Sequence, residues 1–434
     1  MPRLRHLSRE LLLAARRGEI TDRELAERLL QLLTESCPTC RKEAAQADAG
    51  EIPRAAYGEL VSRALHTALH HYGDEAEAAL DLLETLRPLS PEQRLLRIRN
   101  SPDRFANRVL GEKIVAEARA CLPDDPKGSL AWARALQAIA HAYPVPYSSH
   151  QVLALAFQGN AWRALGDFAR ARRLLTRARR VQQQDPDVEI HAELHSFFGS
   201  LYIDLRRLDE AAQELEQAAE VFRALRDDFR LAGVLMQLGT LHGHRDDLPA
   251  ALRADRQALA LLAPDEHRSL YLSARLNYAF HLQMSGRIEE AQDQADSEYP
   301  ASLEEADEHT RIRFEYLQAR LAADFGKPAV AEGRFLRVLD EFVRQRHGFN
   351  AAIVCLELAV LYYTEGRLDE VHNVAGQALE LFQAYETHRE AQAALRLVRD
   401  AALSRTLTTE ALRRVASFLR DARADPTARF QLAH

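Results

Sequence analysis

Small and apolar positions recur along this chain in a pattern that repeats every 40 residues between Val152 and Ala391. Small residues hold one place in each period, at Gly159, Gly199, Gly239, Ala279, Ala319 and Ala359. A second small place follows at Ala171, Ala211, Ala251, Ala291, Ala331 and Val371, and a third at Ala178, Ala218, Ala258, Glu298, Val338 and Ala378. The register holds through six copies without a gap. A polar break separates the first two places, centred on Gly166, Gly286, Gly326 and Gly366, with Arg206 and Asp246 in the other two copies. This spacing predicts two antiparallel helices per period. Helix A ends on a residue in the left-handed region, and an alanine on helix B lets the two backbones approach. Leu175, Leu215 and Phe335 are expected to fill the space beside the small residues. One hairpin cannot bury its own apolar face, so neighbours must stack. The predicted fold is all-α, a right-handed α-solenoid of helical hairpins preceded by a small helical N-terminal region.

A small residue, an aromatic three places later, a turn and then spaced alanines, as in Gly199, Tyr202, Ala211 and Ala218, resemble the tetratricopeptide repeat. The aromatic is kept at Trp162, Tyr202 and Tyr362 and replaced at His242, Leu282 and Ala322. Proteins of that family bind peptides and other proteins. The resemblance therefore implies an interaction protein and leaves its partner open.

The flanks are divided by their own patterns. Residues 1–45 read as a small region of short helices, with Thr21 as a helix start and Leu25, Leu29, Leu30 and Leu33 as one face. Residues 46–102 read as a helical cap for the solenoid, in which Pro91 opens a short helix. Over 103–151, Phe105 to Cys121 and Leu130 to Tyr143 form a divergent hairpin, since Ala131 and Ala138 precede Ala171 and Ala178 by one period. The six repeats occupy 152–391, and 392–434 supplies capping helices.

Charged residues make up 28% of the 434 positions and the net charge is −7, which argues against nucleic acid as the general partner. No apolar run is long enough to span a membrane, and the first ten residues lack a signal core, so a cytoplasmic protein is expected. No phosphate-binding glycine loop, His-Glu-x-x-His or nucleophile elbow occurs, and no enzymatic activity is expected. Cys121 and Cys355 fall within helical patterns and read as small buried residues. The arginines at 170, 172, 173, 177, 179 and 180 form the densest positive run and read as a solvated helix face.

Cys37 and Cys40 stand apart. A Cys-x-x-Cys pair at a turn can supply two ligands to zinc at about 2.3 Å, and His66 and His70, one helical turn apart, are local candidates for the other two. The bland alternative is a reduced thiol pair at a helix end. Short helices ending in Cys-x-x-Cys-Arg resemble the zinc-binding domain of bacterial anti-sigma factors, which implies zinc and a sigma-factor partner. That family places a histidine four residues before the first cysteine, where this chain has Leu33.

The face lined by the A helices is the more informative surface. Its columns include Asn160, Arg163, Thr240, Phe280, Arg313, Tyr316, Arg320 and Tyr363, with Asn277 one step aside. Aromatic anchors beside guanidinium groups suit a peptide with apolar side chains and an acidic group. The expected function is a scaffold or adaptor that binds a protein or peptide in this groove, without a cofactor. The alternatives are an anti-sigma-like regulator with a sensing solenoid and an accessory subunit of a partner enzyme. Oligomeric state cannot be read from the pattern.

Overall fold

The computed structural model describes residues 76–418 apart from 123–124, 143–147, 184–186, 297–307, 346–347, 385–388, 409, 413 and 416–417. These residues fold into antiparallel helical hairpins, with no strand among them. The chain forms two compact units, divided between His191 and Ala192.

The first unit contains helices α1 (76–86), α2 (Pro91–Asn100), α3 (Pro102–Phe105), α4 (Arg108–Cys121), α5 (Pro126–Ala142), α6 (Ser148–Ala164) and α7 (Phe168–Gln182). Ser90 starts α2 through a capping box: its hydroxyl accepts from the Gln93 amide while the Gln93 side chain accepts from the Ser90 amide. Arg94 of α2 donates to the Leu86 and Leu89 carbonyls, and its guanidinium lies 3.4 Å from the ring centre of Trp132 on α5. The divergent hairpin is α4 and α5, with boundaries that differ from the periodicity. α4 begins at Arg108 rather than Phe105, because Asn107 caps it by accepting from the Leu110 amide at 2.8 Å. α5 begins four residues early, where Pro126 fits the first helical turn and Asp125 accepts from the Gly128 amide at 2.8 Å.

The second unit opens within α8 (Val188–Asp204) and continues through α9 (Leu208–Leu225), α10 (Asp228–His244), α11 (Leu248–Leu261), α12 (Arg268–Met284), α13 (Ile288–Asp296), α14 (Glu308–Asp324), α15 (Pro328–Arg344), α16 (Gly348–Thr364), α17 (Leu368–Ala384) and α18 (Arg389–Leu403). Even-numbered members from α6 to α16 are A helices and odd-numbered members from α7 to α17 are B helices. Every A helix ends on a left-handed residue 40 positions after the last: Gly166, Arg206, Asp246, Gly286, Gly326 and Gly366, with φ between 55° and 85°. Arginine and aspartate therefore hold the same backbone conformation as four glycines.

The small residues do what the spacing requires. A Cβ added at Gly199 would stand 2.4 Å from Leu215 Cδ2, so the two helices meet without room for a methyl group. Within hairpins, a position on helix A meets one 19 residues later on helix B, and its chemistry varies. His195 pairs with Glu214, and Glu315 accepts from Arg334 at 2.9 Å. The same two positions are Leu155 and Leu174 in the first hairpin and Cys355 and Val374 in the last.

One core position breaks the apolar column. Leu175, Leu215 and Phe335 are buried as expected, but their counterpart in the third hairpin is Asp255, with no solvent exposure. Asp255 Oδ2 meets His281 Nδ1 at 2.5 Å, and His281 stands where other repeats carry Leu201, Leu241, Leu321 and Leu361. Gly239 makes room for the carboxylate, since a Cβ there would lie 2.4 Å from Asp255 Oδ1, and Gly243 makes room for the imidazole. Burial pushes the Asp255 carboxyl up, while His281 works in the opposite direction.

Candidate partner-binding surface

Two successive A helices, α12 and α14, bring five of the expected groove residues together, and the next A helix, α16, adds Glu357. Arg313 donates to the Asn277 carboxamide oxygen at 2.6 Å and places its guanidinium 5.9 Å from the Phe280 ring centre. The Phe280 and Tyr316 rings lie 6.0 Å apart, and Tyr316 meets the buried Phe335 edge-on at 6.0 Å. Tyr316 donates its hydroxyl proton to Glu357 Oε1 at 2.8 Å. The Arg320 guanidinium lies 6.0 Å from the Tyr316 ring centre. Burial acts to lower the Arg320 pKa, but Glu357, Tyr316 and Asp324 more than offset it and hold the group above its ordinary value. Arg320 is therefore a fixed cation in a cluster that carries its own carboxylates.

Glu357 and Asp324 belong to this surface but were not among the expected residues, whereas Gln283 lies in the same A-helix columns as Phe280. Gln283 is buried and donates from its amide nitrogen to Asp324 Oδ2 at 2.6 Å, while its carboxamide oxygen accepts no hydrogen bond from the described residues. Glu357 was recognisable in principle. It lies one period and one residue after Tyr316, the same step that joins Ser196 to Gln237 at 3.2 Å.

The other four expected residues lie elsewhere. Asn160 is buried and accepts from Arg163 at 2.6 Å, both on α6 of the first unit. Thr240 bonds back to the Met236 carbonyl of its own helix at 3.1 Å. Tyr363 donates to the Leu407 carbonyl at 3.0 Å, which ties α16 to the segment after α18.

Cys37, Cys40, His66 and His70 lie outside the described residues. Among the described residues no group of three or more His, Cys, Asp or Glu side chains is placed to hold a metal ion. Burial pushes the Cys355 thiol up to about 12, so it stays protonated and unreactive at neutral pH. No helix among the described residues is long and apolar enough to cross a membrane.

This architecture is that of a tetratricopeptide-like helical-repeat protein. No family model matches the chain, and no curated protein matches it. Among solved structures it is similar to a Rap protein complexed with competence and sporulation factor, over 72% of this chain and 88% of that one, with a TM-score of 0.58 and 13% identity. It is also similar to aspartyl phosphate phosphatase F from Bacillus subtilis, over 83% and 94% of the two chains, with a TM-score of 0.50 and 13% identity. At such identities the likeness is one of fold.

Proposed function

We propose that the chain is a non-enzymatic adaptor of the cytoplasm that binds a protein or peptide segment on the A-helix surface of α12, α14 and α16. The observation that carries this reading is the cluster of Asn277, Phe280, Arg313, Tyr316, Arg320 and Glu357, which sets two guanidinium groups and a carboxylate around two aromatic rings. Half-buried rings offer apolar contact, and fixed charges of both signs suit a peptide that carries both signs itself. The Rap protein with which the chain shares its fold holds competence and sporulation factor. That precedent supports a bound peptide or protein here without identifying it.

The anti-sigma reading and the zinc site remain proposals that rest on Cys37 and Cys40. Affinity purification of the tagged full chain from its native host, with metal analysis of the same sample, tests both readings. The adaptor reading expects a partner that is recovered with the wild type and lost with Arg320→Glu at unchanged helicity. Retention of that partner by the variant would remove the surface from consideration. Stoichiometric zinc with a co-purifying sigma factor would instead support the regulator.

A further inference from the structure

The first unit carries a second surface of different character. Residues 126–182, which form α5, α6 and α7, contain nine lysines and arginines and a single carboxylate, Asp167, in a chain whose net charge is −7. Six of the nine lie on α7. Asp167 caps that helix by accepting from the Arg170 amide at 2.8 Å, and Arg170 lies 4.0 Å from the ring centre of Trp162. Arg172, Arg173, Arg177 and Arg180 are exposed, and none forms an ion pair or hydrogen bond with the described residues.

In later hairpins the arginines of the turns before the B helices, and Arg334 on α15, are paired. Arg207 pairs with Glu210, Arg287 with Glu290, Arg334 with Glu315 and Arg367 with Glu332. Where α7 has Arg172 and Arg180, later hairpins place Glu332 and Glu220, Asp340 and Glu380 at the matching positions. Exposed arginines without a partner among the described residues also occur at Arg223, Arg253 and Arg256 on α9 and α11, so α7 is set apart by the number and alignment of its arginines. Arg173, Arg177 and Arg180, four and then three residues apart, form one line along the helix over about 10 Å.

We propose that the outer face of α7 docks an acidic helical segment of a protein partner, with carboxylates at the same four-and-three spacing. Charge complementarity selects the occupant. A helix facing α7 can present three carboxylates to three guanidinium groups that form no ion pair with the described residues. Nucleic acid fits less well. No aromatic side chain lies between Arg170 and Arg180 to stack a base, and the line of charge ends within two turns in an otherwise acidic chain. This surface is independent of the one around Arg320, which belongs to the second unit.

The test uses the full chain at near-physiological salt and three labelled probes: an alanine-based helical peptide with glutamates at the four-and-three spacing, its glutamine counterpart, and a single-stranded oligodeoxythymidylate. Fluorescence anisotropy is expected to show saturable binding of the glutamate peptide, at least about tenfold tighter than either comparator, a gap of about 1.4 kcal/mol. The triple substitution R173E/R177E/R180E is expected to abolish it. R223E/R253E/R256E, an equal charge change at exposed arginines of α9 and α11, should leave it intact. Tighter binding of the oligonucleotide would assign the face to nucleic acid and overturn the proposal. So would equal losses in the two variants, or no binding of the glutamate peptide by a wild-type protein whose helical circular dichroism is intact.

Discussion

The second and third hairpins pack the same backbone with opposite chemistry. In the second, Gly199 faces Leu215; in the third, Gly239 faces Asp255, and in each case a Cβ on the glycine would lie 2.4 Å from the opposing side chain. The glycine sets the distance between the helices, and the opposing position then accepts either a hydrocarbon or a carboxylate. The carboxylate needs a partner, which His281 supplies from the next A helix. The consequence is a difference in what holds each region. The apolar contact is local to one hairpin, whereas the polar one joins the third hairpin to the fourth and fails if either partner is lost.

Removing that partner should have the largest effect. His281→Leu leaves Asp255 buried and alone, and chemical denaturation should show a loss of about 3–5 kcal/mol. The double substitution D255L/H281L makes the third hairpin resemble the second and should recover the loss, reaching wild-type stability or about 1–4 kcal/mol beyond it. A double variant no more stable than the single one would mean that the pair shapes the junction in a way leucine cannot replace.

A second buried histidine sharpens the comparison. His150 of α6 lies against Gly111 of α4, and burial, assisted by the Arg108 cation, lowers its pKa from 6.5 to about 4. The sign follows directly. Above pH 6.5 the ring is neutral in both states and its contribution is fully present. Between pH 6.5 and about 4 the unfolded chain takes up a proton that the folded chain refuses, so stability falls with pH. Denaturation midpoints across this window should fall by an amount equivalent to about 3 kcal/mol, and His150→Gln should flatten that dependence.

The smallest effect is expected on the apolar side. Gly199→Leu overpacks the contact with Leu215 and should cost about 1–3 kcal/mol in thermal or chemical unfolding, with the helical spectrum retained. A neutral result would show that the second hairpin separates its helices more readily than the third.

Most of this architecture was legible in the sequence because a hairpin solenoid writes its geometry into residue size. Gly159 and Gly199, followed by Ala171 and Ala211, specify where the helices approach, and even the left-handed turns at Arg206 and Asp246 follow from position alone. The ends of α4 and α5 were less legible, since Asn107 and Asp125 act through side-chain hydrogen bonds that leave no periodic trace. On the A-helix surface, Arg313, Phe280, Tyr316 and Arg320 were found by column, and Asn277 one step aside of it. Glu357 escaped because it meets Tyr316 only when two repeats are stacked. The same reason hid Asp255 and His281. Asp255 interrupts an apolar column and His281 a column of leucines, but a single interruption on a helix reads as a surface residue until its partner 26 positions away is brought beside it.

The six left-handed turns share one conformation, and no residue is inserted or deleted between them. A deletion from 207 to 246 would join the Arg206 turn to the start of α11, the same kind of junction that Asp246 makes now. The length of the repeat array is thus a variable separate from the geometry of each step. A lineage carrying such a gene can lengthen or shorten the array by whole modules, and selection then acts on how much surface the array presents rather than on whether it folds.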